Sequence, residues 1–182
     1  MRELFVLKNG NTTLVREATA QDALDLNTLV RNIYGTADTV LTSLEEFKSM
    51  DSLNSQLQRI HHYQNALGHL LLVAEIDGQI VGTLDFTNGH RQRIAHTGDF
   101  GMGVAPNFQN QGIGRCLIKV MLDWAAKDPI IEKVKLTAFA NNHNGLHLYK
   151  SLGFVEEGRG VQEIKMGEGQ YLDVINMYKS VK

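Results

Sequence analysis

Gln109, Gly112 and Gly114 sit within the run GVAPNFQNQGIG, Gly103 to Gly114, at a spacing suited to phosphate capture. Glycines let an anion approach backbone N–H groups closely. A helix starting just beyond them presents unsatisfied amides and the positive end of its dipole. From Ile113 the apolar positions Leu117, Val120, Met121 and Trp124 return at helical spacing, so the turn meets such a helix. A nucleotide P-loop would need Gly-Lys and then Ser or Thr, whereas Arg115 and Cys116 follow Gly114 here. A dinucleotide fingerprint would need a third glycine where the run instead reaches Leu117, and Glu132 precedes the next strand rather than ending it. The fitting chemistry is the binding of a pyrophosphate by backbone amides.

Such a turn must be held at the end of a strand. Phe100, Met102 and Val104 alternate as a strand over 96–104 requires, and Pro106 ends the pairing by removing a backbone donor. Upstream, LFVLK and TTLVRE flank Asn9-Gly10, a hairpin turn signal, and LLLVAEI and QIVGTLDF flank Asp77-Gly78, a stronger one. Thr19 caps a helix whose apolar positions Ala23, Leu26, Leu29, Val30 and Ile33 end near Gly35. A second helical region follows Ser43, with Glu46 at capping-box spacing and a stripe of Leu44, Phe47, Met50, Leu53, Leu57 and Ile60. Residues 88–95 read as a loop, 134–139 as a further core strand, and 144–152 as a short helix. The runs 154–166 and 171–178 read as a closing hairpin. No Pro-, Gly- or Ser-rich linker divides the 182 residues, so a single domain over 1–182 is expected.

The motif Gln109-x-x-Gly112-x-Gly114 resembles the acyl-CoA pyrophosphate loop of the GNAT N-acetyltransferase superfamily. A second block, ANNHNGLHLYKSLGF, resembles that family's Asn-x-x-Ala-x-x-Leu-Tyr-x-x-x-Gly-Phe pattern through Asn142, Leu148, Tyr149, Gly153 and Phe154, with Gly145 in place of the alanine. The resemblance implies a mixed α+β fold, a central, mostly antiparallel sheet flanked by helices. Its fourth and fifth core strands splay so that acetyl-CoA lies between them. It implies acetyl-CoA as cosubstrate, held by Met102, Gly103, Val104, Gln109, Asn110, Gln111, Gly112, Ile113, Gly114, Arg115, Asn142 and Tyr149. The helices before the first core hairpin would wall the acceptor site. The implied reaction is direct acetyl transfer to a primary amine. Tyr171-x-Asp173 and Met177 resemble bacterial members acting on amino acids or related small molecules. Polyamines, aminoglycosides and protein N-termini or lysines stay open as acceptors, as does a non-catalytic acyl-CoA-binding module. Homodimers are common among such domains.

Transfer needs a neutral amine, a polarised thioester carbonyl and a proton for the leaving thiolate. A lysine-type amine has a pKa of about 10.4, so deprotonation is a real barrier near neutral pH. By resemblance, a backbone N–H near Val104 polarises the carbonyl, Tyr149 is the general acid, and Asn142 orients the pantetheine arm. Asn142 also suits a helix cap. Where many relatives carry a catalytic glutamate this chain has Gly98, which leaves His96, Asp99 or a water chain as base; His96 shares the strand face of Gly98 and Phe100. His143 and His147 stand four apart on a helix, but with no Glu after the first His and no third ligand, no metal is expected. His61 and His62, beside Tyr63, fall on the polar edge of the second helix.

Hydrophobic residues at 43%, charged residues at 21% and a net charge of −2 describe an ordinary globular protein, and disfavour nucleic acid as a partner despite Arg91 and Arg93. The lone Cys116 permits no intrachain disulfide, reads as a buried apolar thiol, and suits a reducing cytoplasm. No run of ~20 apolar residues predicts a membrane span.

Overall fold

A computed structural model of the chain describes residues 1–36, 45–47 and 52–182. Eight strands form one sheet in the order β1-β2-β3-β4-β5-β6-β8-β7. They are β1 (Arg2–Val6), β2 (Thr12–Glu17), β3 (Leu70–Ile76), β4 (Gln79–Asn88), β5 (Thr97–Val104), β6 (Lys133–Phe139), β7 (Val155–Gly167) and β8 (Gln170–Ser180). Helices that flank the sheet among the described residues are α1 (Ala23–Thr36), α2 (Leu53–Asn65), α3 (Ile113–Lys127) and α4 (His143–Ser151). Every strand pair is antiparallel except β5 and β6. The expected mixed α+β architecture is therefore what the chain forms.

The hairpin signals act as their chemistry requires. Asp77 and Gly78 both take positive φ, 49° and 81°, the pair of left-handed residues that joins twisted strands in two residues. Ile76 faces Gln79 directly across that turn. Before α1, residues Ala20–Asp22 form a 3-10 turn. There the Asp22 carboxylate accepts from the Thr19 amide at 2.7 Å and its hydroxyl at 3.0 Å.

Two apolar layers sandwich the sheet. On one face Leu84, Phe86, Phe100, Leu117, Met121 and Met177 join α3 to the sheet; on the other Leu26, Leu29, Ile33, Ile60 and Val73 join α1 and α2 to it. Cys116 is buried in the first layer, and burial pushes its thiol pKa up.

Two expectations need correction. The stripe Leu53, Leu57 and Ile60 does not face the protein as one unit: Ile60 and Gln56 are buried while Leu53 and Leu57 are exposed. α2 is rolled so that Gln56, Arg59, Ile60 and Tyr63, rather than the leucines, meet the sheet side. Its N-terminus is capped by Ser52, whose Oγ accepts from the Ser55 amide at 3.0 Å. Ser43, Leu44 and Met50 lie outside the described residues. Second, β5 begins at Thr97, so His96 precedes the strand. Its carbonyl accepts from the amides of Glu132 and Lys133 at 2.8 and 3.1 Å, and its side chain is exposed.

Among the described residues, no helix is long and apolar enough to cross a membrane.

Candidate active site

β5 and β6 pair only at Thr97–Lys133, Gly98–Val134 and Asp99–Lys135. Beyond that point they separate, and the gap opens into a cleft of about 1680 Å³. The splaying strands are fifth and sixth in chain order, one later than expected, because Arg2–Val6 forms a strand of its own at the sheet edge ahead of β2. Ala105 donates to Val81 of β4 at 2.8 Å, so strand alternation turns the backbone of Val104 and Met102 the other way, into the gap. The Val104 carbonyl accepts from Gln109 Nε2 at 3.2 Å, which ties the following turn to the strand end.

The phosphate-type turn lies where this strand hands over to α3. Gly112 caps α3 at φ 103°, a conformation that a side chain strains, and a Cβ there would meet no atom within 4 Å. That open space above a helix N-terminus with no acidic residue in its first turn suits an anion. Gly114 is tight for a different reason: a Cβ would stand 3.0 Å from Met102 Cε and 3.3 Å from Leu148 Cδ2, so a side chain there would need those two side chains on β5 and α4 to give way. Asn110 also takes positive φ, 61°.

Among the expected cosubstrate residues, Met102, Gly103, Val104, Gln109, Asn110, Gly112, Ile113, Gly114, Arg115, Asn142 and Tyr149 line the cleft together. Gln111 does not. Its Oε1 accepts from Asn9 Nδ2 at 2.8 Å and its carbonyl from the Lys8 amide at 3.4 Å, so it fastens the N-terminal hairpin to the turn. That fastening brings Lys8 to the cleft lining, which also holds Arg115, whose Nη2 donates to Ser151 Oγ at 2.7 Å.

Asn142 is the cap of α4: its Oδ1 accepts from the Gly145 amide at 3.0 Å. A Cβ on Gly145 would lie 2.8 Å from Asn142 Nδ2, so a side chain there would require the Asn142 amide to shift. Tyr149 is buried between Phe100 and Phe154, with ring centroids 6.0 and 6.2 Å away. Burial raises its pKa, and its hydroxyl makes no hydrogen bond to the described residues. A phenol held neutral on the cleft wall can give a proton to an anion.

Asp99 and His96 are outside the cleft lining. Asp99 is exposed and paired with Lys135 at 3.2 Å. Nor could a glutamate occupy position 98, because the Phe86 ring already fills the space over Gly98. His143 and His147 line the cleft, yet the described residues hold no group of three or more His, Cys, Asp or Glu suited to a metal.

The charged centre of the cleft is one that the sequence reading missed. Asp85, on β4 opposite Gly101, accepts from Arg59 Nη2 and from the Tyr63 hydroxyl, each at 3.0 Å. Burial and then the Asp85 charge push the Tyr63 pKa up, so the phenol stays a donor. Arg59 also stands 5.6 Å over the Tyr63 ring. Gly101 keeps the strand opposite Asp85 free of any side chain. A lone carboxylate in the apolar run QIVGTLDF was the available signal. His62 packs against Tyr63 and His69, away from the cleft lining; burial, followed by the His62 charge, lowers the His69 pKa.

The family profile for the acetyltransferase (GNAT) family matches residues 35–154. An L-amino acid N-acetyltransferase of Escherichia coli is 33% identical over 106 residues, 58% of this chain and 65% of that protein, so the match falls just short of two thirds of the relative's length. A spermidine N(1)-acetyltransferase of Vibrio cholerae is 31% identical over 134 residues, 74% of this chain and 75% of that protein. In fold, a GNAT-family acetyltransferase from Streptococcus pneumoniae superposes with a TM-score of 0.88 at 24% identity, covering 93% of this chain and 99% of that one. A putative acetyltransferase from Salmonella typhimurium, solved with its cofactor acetyl-CoA, superposes at 0.82 with 20% identity, covering 93% and 94%. The matched segment runs through the splayed strands, the Gly112 turn and the Tyr149 helix, and the chain belongs to the acetyltransferase (GNAT) family.

Proposed function

We propose that this protein transfers the acetyl group of acetyl-CoA directly to the primary amine of a small molecule such as an amino acid or a related metabolite. The observation that carries the reading is the convergence, in one cleft, of a strand edge with unpaired amides, an anion-suited helix N-terminus and a buried neutral phenol. Acetyl-CoA supplies an activated acyl thioester. The amides around Gly112 and Gly114, with Lys8 and Arg115, suit its pyrophosphate; Asn142 and the edge of β5 suit its pantetheine arm.

In this reading the amine nitrogen bonds to the acyl carbon as the carbon–sulfur bond breaks. The Val104 N–H polarises the carbonyl, a role that needs backbone geometry rather than a side chain. Tyr149 gives its proton to the departing thiolate and is reprotonated from solvent. The proton lost by the amine leaves through water in the cleft, beside the Asp85 carboxylate. Cys116, buried on the sheet-facing side of α3, takes no part.

The test is acetyl-CoA-dependent thiol release by the purified protein across amino acids, polyamines, aminoglycosides and a lysine peptide, corrected for the rate without acceptor. Release with a small amine supports the reading. Release with the peptide alone turns it toward a protein acetyltransferase, and tight acetyl-CoA binding with no release anywhere turns it toward a binding module. The same reading places the enzyme in a reducing cytoplasm and pairs it as a homodimer through an open sheet edge; light scattering that finds only monomer removes the dimer.

A further inference from the structure

We infer that the acceptor arm of the cleft recognises a zwitterionic α-amino acid with an apolar side chain, and that Gln56 and Arg59 select it; this rests on the acetyl-transfer reading above. Gln56 is only 6% exposed, lines the cleft from α2, and holds an Oε1 that is buried without a hydrogen-bond partner. A buried amide oxygen left without a protein donor is destabilising unless a bound molecule supplies one. The acceptor's own amine or ammonium is such a donor.

Three residues beyond Gln56, on the same face of α2, Arg59 places its guanidinium on Asp85. It donates there through Nη2; the described residues take none of its other N–H groups, and a guanidinium carries five. The half-buried pair therefore sets an incompletely used cation beside a carboxylate, with the unpaired Gln56 oxygen on the same helix face. An α-amino acid carries the complementary charges two bonds apart: its carboxylate suits Arg59, and its ammonium suits Asp85 and Gln56. A polyamine brings only positive charge and meets Arg59 as a like charge. Among the described residues, Glu163 is the one further carboxylate on the lining, and it folds back over Gly160. Val30, Ile33 and Tyr34 of α1, with Phe47 edge-on to Tyr34 at 5.0 Å between centroids, give this arm an apolar wall. That wall suits an uncharged side chain.

The experiment compares phenylalanine, phenylalaninamide, phenethylamine and spermidine as acceptors for wild type, Arg59→Gln and Gln56→Leu, with acetyl-CoA binding measured by calorimetry. For wild type, kcat/KM for phenylalanine should exceed that for the three others about 100-fold. Arg59→Gln should collapse the preference for phenylalanine over its amide and amine about tenfold or more, with the KM for acetyl-CoA within about twofold of wild type. Gln56→Leu should raise the KM for phenylalanine about tenfold without lowering the melting temperature, because it removes an orphaned oxygen. A purely structural glutamine would lower the melting temperature and leave KM alone. Spermidine or phenethylamine used as well as phenylalanine, or a preference that survives Arg59→Gln, overturns the inference and leaves acetyl transfer standing. Release with none of the four overturns it too, and absence of acetyl-CoA binding overturns acetyl transfer itself.

Discussion

The ring of Phe86 on β4 occupies the space that a side chain at Gly98 on β5 would need. The register of the two strands, which sets Phe86 opposite Phe100 and Asn88 opposite Gly98, brings the ring over the glycine. The carboxylate that many relatives carry at this point thus has no room here. The cleft's acidic group instead stands one residue earlier on β4, at Asp85, on the opposite face of the sheet.

Gly98→Ala should therefore destabilise the fold by about 1–3 kcal/mol through overpacking, and Gly98→Glu by more. Urea denaturation midpoints measure both. A glutamate tolerated at wild-type stability would mean that Phe86 moves freely and that the glycine is not a packing requirement.

Tyr149→Phe should lower kcat about 100-fold while changing the dissociation constant of acetyl-CoA by less than about threefold. The ring contacts with Phe100 and Phe154 survive the change, and the lost hydroxyl has no hydrogen bond to the described residues to break, so the melting temperature should hold. Because burial raises the Tyr149 pKa, the phenol stays protonated beyond its ordinary value of about 10. The wild-type rate should accordingly show no alkaline decline from this group below that pH. Equal turnover in the variant removes Tyr149 as proton donor.

Gly112→Asp should weaken acetyl-CoA binding at least about tenfold, since the carboxylate opposes a pyrophosphate at the α3 N-terminus. Gly112→Ala separates the causes: it carries the strain of φ 103°, about 1–2 kcal/mol of stability, without the charge. Calorimetry on both variants decides between them. Weakening by Asp alone assigns the effect to charge, and unchanged binding in a folded Asp variant defeats the pyrophosphate assignment.

Asp22 gives the fold a pH-dependent element. Burial alone would raise its pKa, but Arg16, donating at 2.7 and 2.8 Å, and the Thr19 cap outweigh that and hold it below the ordinary carboxylate value. A depressed folded pKa gives stability that is complete above the unfolded value of about 3.9 and is lost as pH falls through the folded one. Asp22→Asn should cost about 1–3 kcal/mol at pH 7, and the difference from wild type should shrink as pH falls below about 4. Denaturation at both pH values reads this directly. A pH-independent difference would assign the loss to the cap rather than to the charge.

Features that depend on a few neighbouring residues were legible from the sequence. The Asp77-Gly78 turn, the alternation of Phe100, Met102 and Val104, and the amphipathic stretch after Ile113 are local consequences of backbone sterics and periodicity. The Gly112 and Tyr149 motifs marked residues that meet on the lining of one cleft. The Arg59–Asp85 side of the cleft was not legible, because it depends on the roll of one element against another. Periodicity marked Leu53 and Leu57 as the inward face of α2, yet packing against the sheet turns Gln56, Arg59 and Tyr63 inward. Only that packing brings Arg59 to Asp85, 26 residues away in the chain. The same holds for Gln111, whose polar side chain reads as a ligand contact until the N-terminal hairpin claims it through Asn9. Local stereochemistry determined the strands, the turns and the phosphate-type helix start. Long-range packing decided which charges meet across the sheet, because that choice depends on register and helix roll, which no short stretch of sequence contains.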